Sequence, residues 1–174
     1  ALADLYTLKE HLGSLDGAKL AWVGDANNVA RSLAIACRKL GVKFAIAAPK
    51  GYEFDQALLD EWQAEAPGWE LLATSDAHEA VADASAVYTD VWASMGQEKE
   101  QAQRKQDFAD YQVNEQLMAS APKDAVFMHC LPARRGEEVS DGILDSPASI
   151  IVPQAGNRMH VQKGILAWLL GAQS

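Results

Sequence analysis

Two cysteines, four histidines and six prolines among 174 residues narrow the chemistry open to this chain. Cys37 falls in a helix-like run and Cys130 in a strand-like run. Nothing around them forms a disulfide framework, and a reducing cytoplasm is the simplest home. The histidines, His11, His78, His129 and His160, are scattered, and neither a paired-His nor a Cys-x-x-Cys spacing exists. His129 and Cys130 are neighbours on a strand-like run, so their side chains are expected on opposite faces. No metal site is expected. Long apolar runs are also missing: none approaches the roughly 20 residues that cross a bilayer. The start, Ala1-Leu2-Ala3-Asp4, has neither the basic region nor the apolar stretch of a signal peptide. Positive charge is scarce, with a formal net charge of −9. That argues against a nucleic-acid or anionic-membrane partner. It leaves an anionic small substrate open, because a local site can oppose the global field.

What remains is a globular composition, 49% hydrophobic and 22% charged. The length suits one domain, residues 1–174, with a real core. Apolar runs of strand character recur at Leu20 to Val23, Phe44 to Ala48, Ala86 to Tyr88, Val126 to Met128 and Ile150 to Val152. Amphipathic segments lie between them. Asn27 to Leu40 sets Val29, Leu33, Ala36, Cys37 and Leu40 on one helical face, and Gly41 stands where a helix-ending glycine belongs. Phe54 to Ala66 and Ala77 to Ala82 read as helices, and Glu98 to Ala121 reads as a long polar helix stopped by Pro122. Strands alternating with helices predict an α/β fold: three αβα layers around a doubly wound, mostly parallel, Rossmann-like sheet. Two further helices bracket it. Leu2 to Leu12 carries a leucine stripe, and Met159 to Leu170 carries Val161, Ile165, Leu166, Trp168 and Leu169.

Ligands of an open parallel sheet bind beyond the carboxyl ends of its strands, and the polar motifs fall there. Gly24-Asp25-Ala26-Asn27-Asn28 follows the first run. Asp90 and Ser94-Met95-Gly96-Gln97-Glu98 follow Ala86 to Tyr88. His129-Cys130-Leu131-Pro132 and Asn157-Arg158 each follow a later one. A dinucleotide is disfavoured, because Gly24 has no second or third glycine at the required spacing. The second run ends in Ala48-Pro49-Lys50-Gly51, without an acidic residue for a ribose. There is no P-loop and no nucleophile elbow. Taken singly, each residue has a plainer role: Asn27 as a helix cap, Asp90 as a turn cap, Cys130 as a small buried hydrophobe, Arg158 as a surface charge. Their joint placement at neighbouring strand ends favours a site.

At these residues the chain resembles the ornithine carbamoyltransferases. The matching stretches are Trp22-Val23-Gly24-Asp25-Ala26-Asn27-Asn28-Val29, Pro49-Lys50-Gly51-Tyr52, Asp90-Val91-Trp92-Ala93-Ser94-Met95-Gly96-Gln97-Glu98, Tyr111-Gln112-Val113-Asn114, His129-Cys130-Leu131-Pro132 and Asn157-Arg158. They occur in family order over essentially the whole chain. The resemblance implies that the side-chain amine of L-ornithine attacks carbamoyl phosphate to give citrulline and phosphate, with no cofactor. It implies that Asn28, Asp90, Ser94 and Met95 hold the α-amino and α-carboxylate groups. Cys130 then lies near the reacting amine, where it or Asp90 helps to take the proton. The Leu131 carbonyl and Arg158 fix the carbamoyl group, and Ser94 to Glu98 forms a closing lid.

The departures are as telling. The family's carbamoyl-phosphate motifs, Ser-x-Arg-Thr and His-Pro-x-Gln, are absent, and the second stands in family members just before the segment matching Ala1 to Asp4. The chain is therefore expected to be the amino-acid-binding half, folded but without turnover alone, and able to use carbamoyl phosphate only with the other half. Two readings stand beside this one: a weak amino-acid-binding module, and half of a carbamoyltransferase with another acceptor amine. Family trimers form largely through the other half, so this chain is expected to be monomeric or weakly self-associating. Leu5, Ile165 and Leu169 are expected to be exposed where that half would dock. Ala26 replaces a common glycine. Gly156 replaces a glutamate, which is expected to loosen the loop aiming Arg158.

Overall fold

A computed structural model describes residues 1–93 and 100–171. Five strands, β1 (Lys19–Val23), β2 (Lys43–Ala47), β3 (Leu71–Thr74), β4 (Ala86–Thr89) and β5 (Val126–His129), form one sheet in the order β3-β2-β1-β4-β5. Every pairing is parallel. Trp22 stands between Ile46 and Tyr88, and Tyr88 in turn beside Met128.

Side chains alternate across a strand, so the sheet is sealed on both faces. Leu20, Trp22, Phe44, Ile46, Tyr88 and Met128 face one apolar layer. Helix α1 (Leu2–Leu12), α2 (Asn28–Leu40) and α3 (Gln56–Glu65) complete that layer. Ala21, Val23, Ala45, Ala47, Val87 and Phe127 face the other, with α4 (Ala77–Val81), α6 (Glu115–Met118) and α7 (Asp141–Leu144). Burial on both faces explains why the strands read as continuous apolar runs rather than alternating ones. The fold is the expected doubly wound α/β sandwich.

Five details differ from the sequence reading. Strand β3 was not expected. It is a four-residue edge strand, largely half-buried, so it lacks a strong apolar signature. Ile150 to Val152 is not a strand: Ile151 opens α8 (Ile151–Leu169). Three β-branched residues imitate a strand there, but Pro153 sits in the first helical turn, where a missing N–H costs nothing. The expected helix from Glu98 to Ala121, whose first two residues lie outside the described residues, is broken. It comprises α5 (Gln101–Asp107), a 3₁₀ turn at Ala109–Tyr111 and α6. The break at Val113 is a tertiary pairing, because Val113 bridges Val139 and Asn114 caps α6 through Leu117 N–H. Finally, Leu5 is buried in the core along with Leu8, whereas Ile165 and Leu169 are exposed as expected. Leu40, expected on the buried face of α2, is exposed too. Among the described residues, no helix is long and apolar enough to cross a membrane.

Candidate active site

Strand order reverses between β1 and β4, and at such a switch point the loops leaving two neighbouring strands part to open a crevice. Gly24 starts the β1 loop at a φ of 137°, a backbone region that side chains rarely tolerate. Asn27 then caps α2: its Oδ1 accepts from Val29 and Ala30 N–H at 2.9 and 3.0 Å. The same amide turns Nδ2 outward and donates to Asp90 Oδ2 at 3.0 Å. Asp90 follows β4, and its Oδ1 accepts from Val91 N–H at 2.8 Å and from the Cys130 thiol at 3.0 Å. Three donors thus converge on one carboxylate.

Cys130 is the opposite case. Burial first, then the negative charge of Asp90 and the hydrogen bond to it, push the thiol far above its usual range. It is a neutral donor to Asp90, not a thiolate.

The chain turns sharply beyond β5. Leu131 has a φ of 58°, unusual for a residue with a branched side chain. The turn is held from inside: Leu131 N–H donates to His129 Nδ1 at 2.8 Å, while His129 Nε2 meets Glu138 Oε1 at 3.1 Å. An amide N–H can only donate, so Nδ1 carries the lone pair and Nε2 carries the proton. Glu138 is fully buried and also accepts from Arg134 N–H. His129 sits beside Phe127 and Cys130 packs against the layer of Met128, on opposite faces as expected, yet their polar atoms come close at the strand end. Potential ligand atoms of Asp90, His129 and Cys130 lie within 4.8 Å of one another. A cation there would have to displace Leu131 N–H from His129 and the proton from Cys130.

A cleft of about 810 Å³ opens over this edge. Asn28, Asp90, Cys130, Leu131 and Arg158 all line it, with Leu2, Val161 and Ile165 forming an apolar wall. Ser94 and Met95 lie outside the described residues. Arg158 is not on a loop. It and Gly156 are inside α8, where a side chain at 156 would meet open space. A helix, not the expected loop, therefore carries Arg158.

Four contributors escaped the sequence reading: Asn27 as a donor to Asp90, Arg134 in the cleft, Glu138 behind His129, and Gln154. A fifth, Arg104 on α5, is buried and joins two of the loops, donating to Asp25 at 2.6 Å and to the Trp92 carbonyl at 3.0 Å. These are contacts between residues far apart in sequence, and no local pattern signals them.

The profile of the family described as aspartate/ornithine carbamoyltransferase, Asp/Orn binding domain, matches residues 16–169. The chain belongs to this carbamoyltransferase family. An ornithine carbamoyltransferase of Anoxybacillus flavithermus is 52% identical over 172 residues, covering 98% of this chain and 55% of that protein. The solved ornithine carbamoyltransferase of Pyrococcus furiosus superposes with a TM-score of 0.91 at 47% identity, over 99% of this chain and 56% of that one. The anabolic enzyme of Campylobacter jejuni gives a TM-score of 0.90 at 36% identity, over 99% of this chain and 58% of that one. The chain thus spans a little over half the length of these carbamoyltransferases. Apart from Ala1 to Asp4, the residues lining the cleft lie within the matched Asp/Orn-binding part.

Proposed function

We propose that residues 1–174 form one ornithine-binding domain and supply the amino-acid side of a carbamoyl-transfer site. In that reaction the δ-ammonium of L-ornithine loses a proton, and the free amine bonds to the carbamoyl carbon. The C–O bond to phosphate breaks and the nitrogen gives its second proton to the departing phosphate, leaving citrulline and inorganic phosphate. The observation that carries the reading is the Asp90 carboxylate at the switch point, held by three donors and facing a cleft shared with Asn28, Cys130, Leu131 and Arg158.

Each group has a task suited to its chemistry. Asp90 is the fixed negative charge that an ammonium seeks, and it can receive a proton. The Cys130 thiol, already protonated, orients Asp90 rather than acting as a base. Asn28 offers an exposed amide at the first turn of α2, where the helix dipole favours a carboxylate. Ser94 and Met95 join it by family resemblance. The Leu131 carbonyl and Arg158 position the carbamoyl group, which lowers the barrier by orientation and charge stabilisation. The phosphate is held by a further half corresponding to the rest of the relatives' length, so this chain alone binds ornithine without turnover.

Calorimetric titration of the purified chain with L-ornithine, and in parallel with L-aspartate, tests the reading. Saturable binding of ornithine but not aspartate is expected, because Asp90 repels a second side-chain carboxylate. Preference for aspartate, binding of neither, or citrulline formation by the chain alone would overturn it.

A further inference from the structure

Gln154 is buried in the first turns of α8, and its amide reaches three other elements. Nε2 donates to Asp4 Oδ1 on α1 at 2.7 Å and to the Tyr88 hydroxyl on β4 at 3.0 Å. Oε1 accepts from His129 N–H at the end of β5 at 3.0 Å. The orientation is forced, since a carboxylate needs the N–H side and a backbone amide needs the oxygen side. Burying an amide is costly unless such bonds are made. An apolar residue would seal α8 against the sheet at less risk, so sealing does not explain a glutamine.

The position does explain it. One residue beyond the amide that Gln154 holds, Cys130 meets Asp90 at 3.0 Å. We propose that Gln154 is a positioning residue, which fixes where β5 ends and thereby the contact between Cys130 and Asp90. The proposal rests on reading that pair as the amine end of the site. It also makes α1 and α8 part of the site's support, because Gln154 joins both to the strand end.

Alkylation by iodoacetamide at alkaline pH reads this contact without substrate. The thiolate is the reacting form, so a Cys130 that slips from Asp90 and gains water reacts faster. Cys37, fully buried in the core, serves as an internal report of global opening. Gln154→Leu removes all three bonds, and Gln154→Glu places a second carboxylate beside Asp4. Gln154→Leu is expected to speed Cys130 by about tenfold, the effect of a one-unit fall in its pKa. Gln154→Glu is expected to speed it less, because its own charge opposes thiolate formation as that of Asp4 does. Cys37 stays at the parent rate in both. The double change Asp4→Asn with Gln154→Glu conserves charge and reverses the hydrogen bond, the new amide at position 4 donating to the new carboxylate at 154. It is expected to restore the parent rate at Cys130. An unchanged Cys130 rate in a folded single variant, parallel acceleration of Cys37, or failure of the double change to restore the rate overturns the proposal. Should Gln154→Leu not fold, Gln154→Glu and its rescue decide. Protection of Cys130 by L-ornithine in the unaltered chain reads the proposed function separately, so the two can fail independently.

Discussion

The thiol of Cys130 donates to Oδ1 of Asp90 across 3.0 Å, so two side chains of the cleft are already partners. The pairing joins the carboxyl ends of β4 and β5, which are adjacent in the sheet although 40 residues of sequence separate the two side chains. Its polarity is set by environment: Asp90 collects donors, while Cys130 is desolvated next to a negative charge.

Asp90→Asn should therefore change Cys130 in a predictable direction. Removing the charge takes away both the coulombic and the hydrogen-bond contributions that Asp90 makes to raising the thiol, and leaves burial. The alkylation profile of Cys130 moves to lower pH, toward but not reaching that of a free cysteine. The same variant loses saturable ornithine binding. A profile that does not move would show that Asp90 does not govern the thiol.

Alkaline pH should destabilise the chain through its other cysteine. Burial pushes Cys37 from the ordinary 9.0 up to about 12. A raised value means that its contribution is fully present below about pH 9, where folded and unfolded thiols are both protonated. It is lost as the pH rises toward the folded value, at about 1.4 kcal/mol per pH unit or less. Denaturant melts above pH 9 should show this decline, and Cys37→Ala should flatten it. An equal decline in that variant would assign the loss to other groups.

Arg104 should resist conservative replacement. Its guanidinium carbon lies 4.8 Å from the Tyr52 ring centroid while the same group serves Asp25 and the Trp92 carbonyl. Arg104→Met leaves Asp25 unpaired and should cost about 3 kcal/mol, the lower end for a broken buried pair because Asp25 keeps some water access. Arg104→Lys should recover only part of this, since an ammonium cannot stack and bridge at once. Equilibrium unfolding measures both, and full recovery by lysine would show that charge alone matters.

How much of this was legible in the sequence depended on range. The α1 boundaries, four of the five strands and the Asn27 cap follow from local periodicity and terminus chemistry. Strand β3 was hidden because an edge strand need not be apolar. The start of α8 was misread because Ile150, Ile151 and Val152 carry a strand's composition in a helix's first turn. The residues brought to the cleft were those whose motif resembles a family. Gln154, Glu138 and Arg104 were not legible, since each acts on a residue 9 to 150 positions away, through burial that no window of sequence contains. Leu5 shows the same limit: a leucine stripe has one signature whether it meets its own core or another surface.

The all-parallel sheet has a consequence for how such a domain diversifies. Parallel strands gather their carboxyl ends on one rim, while the bonds that hold the sheet lie elsewhere. Asp90 and Cys130 arrive on separate loops, each of which can lengthen or change without reregistering a strand. A single scaffold can then be readdressed from one amino acid to another by rewriting one rim segment, with the neighbouring segment kept as an inherited part. A family whose description covers both aspartate and ornithine is what that division of the rim allows.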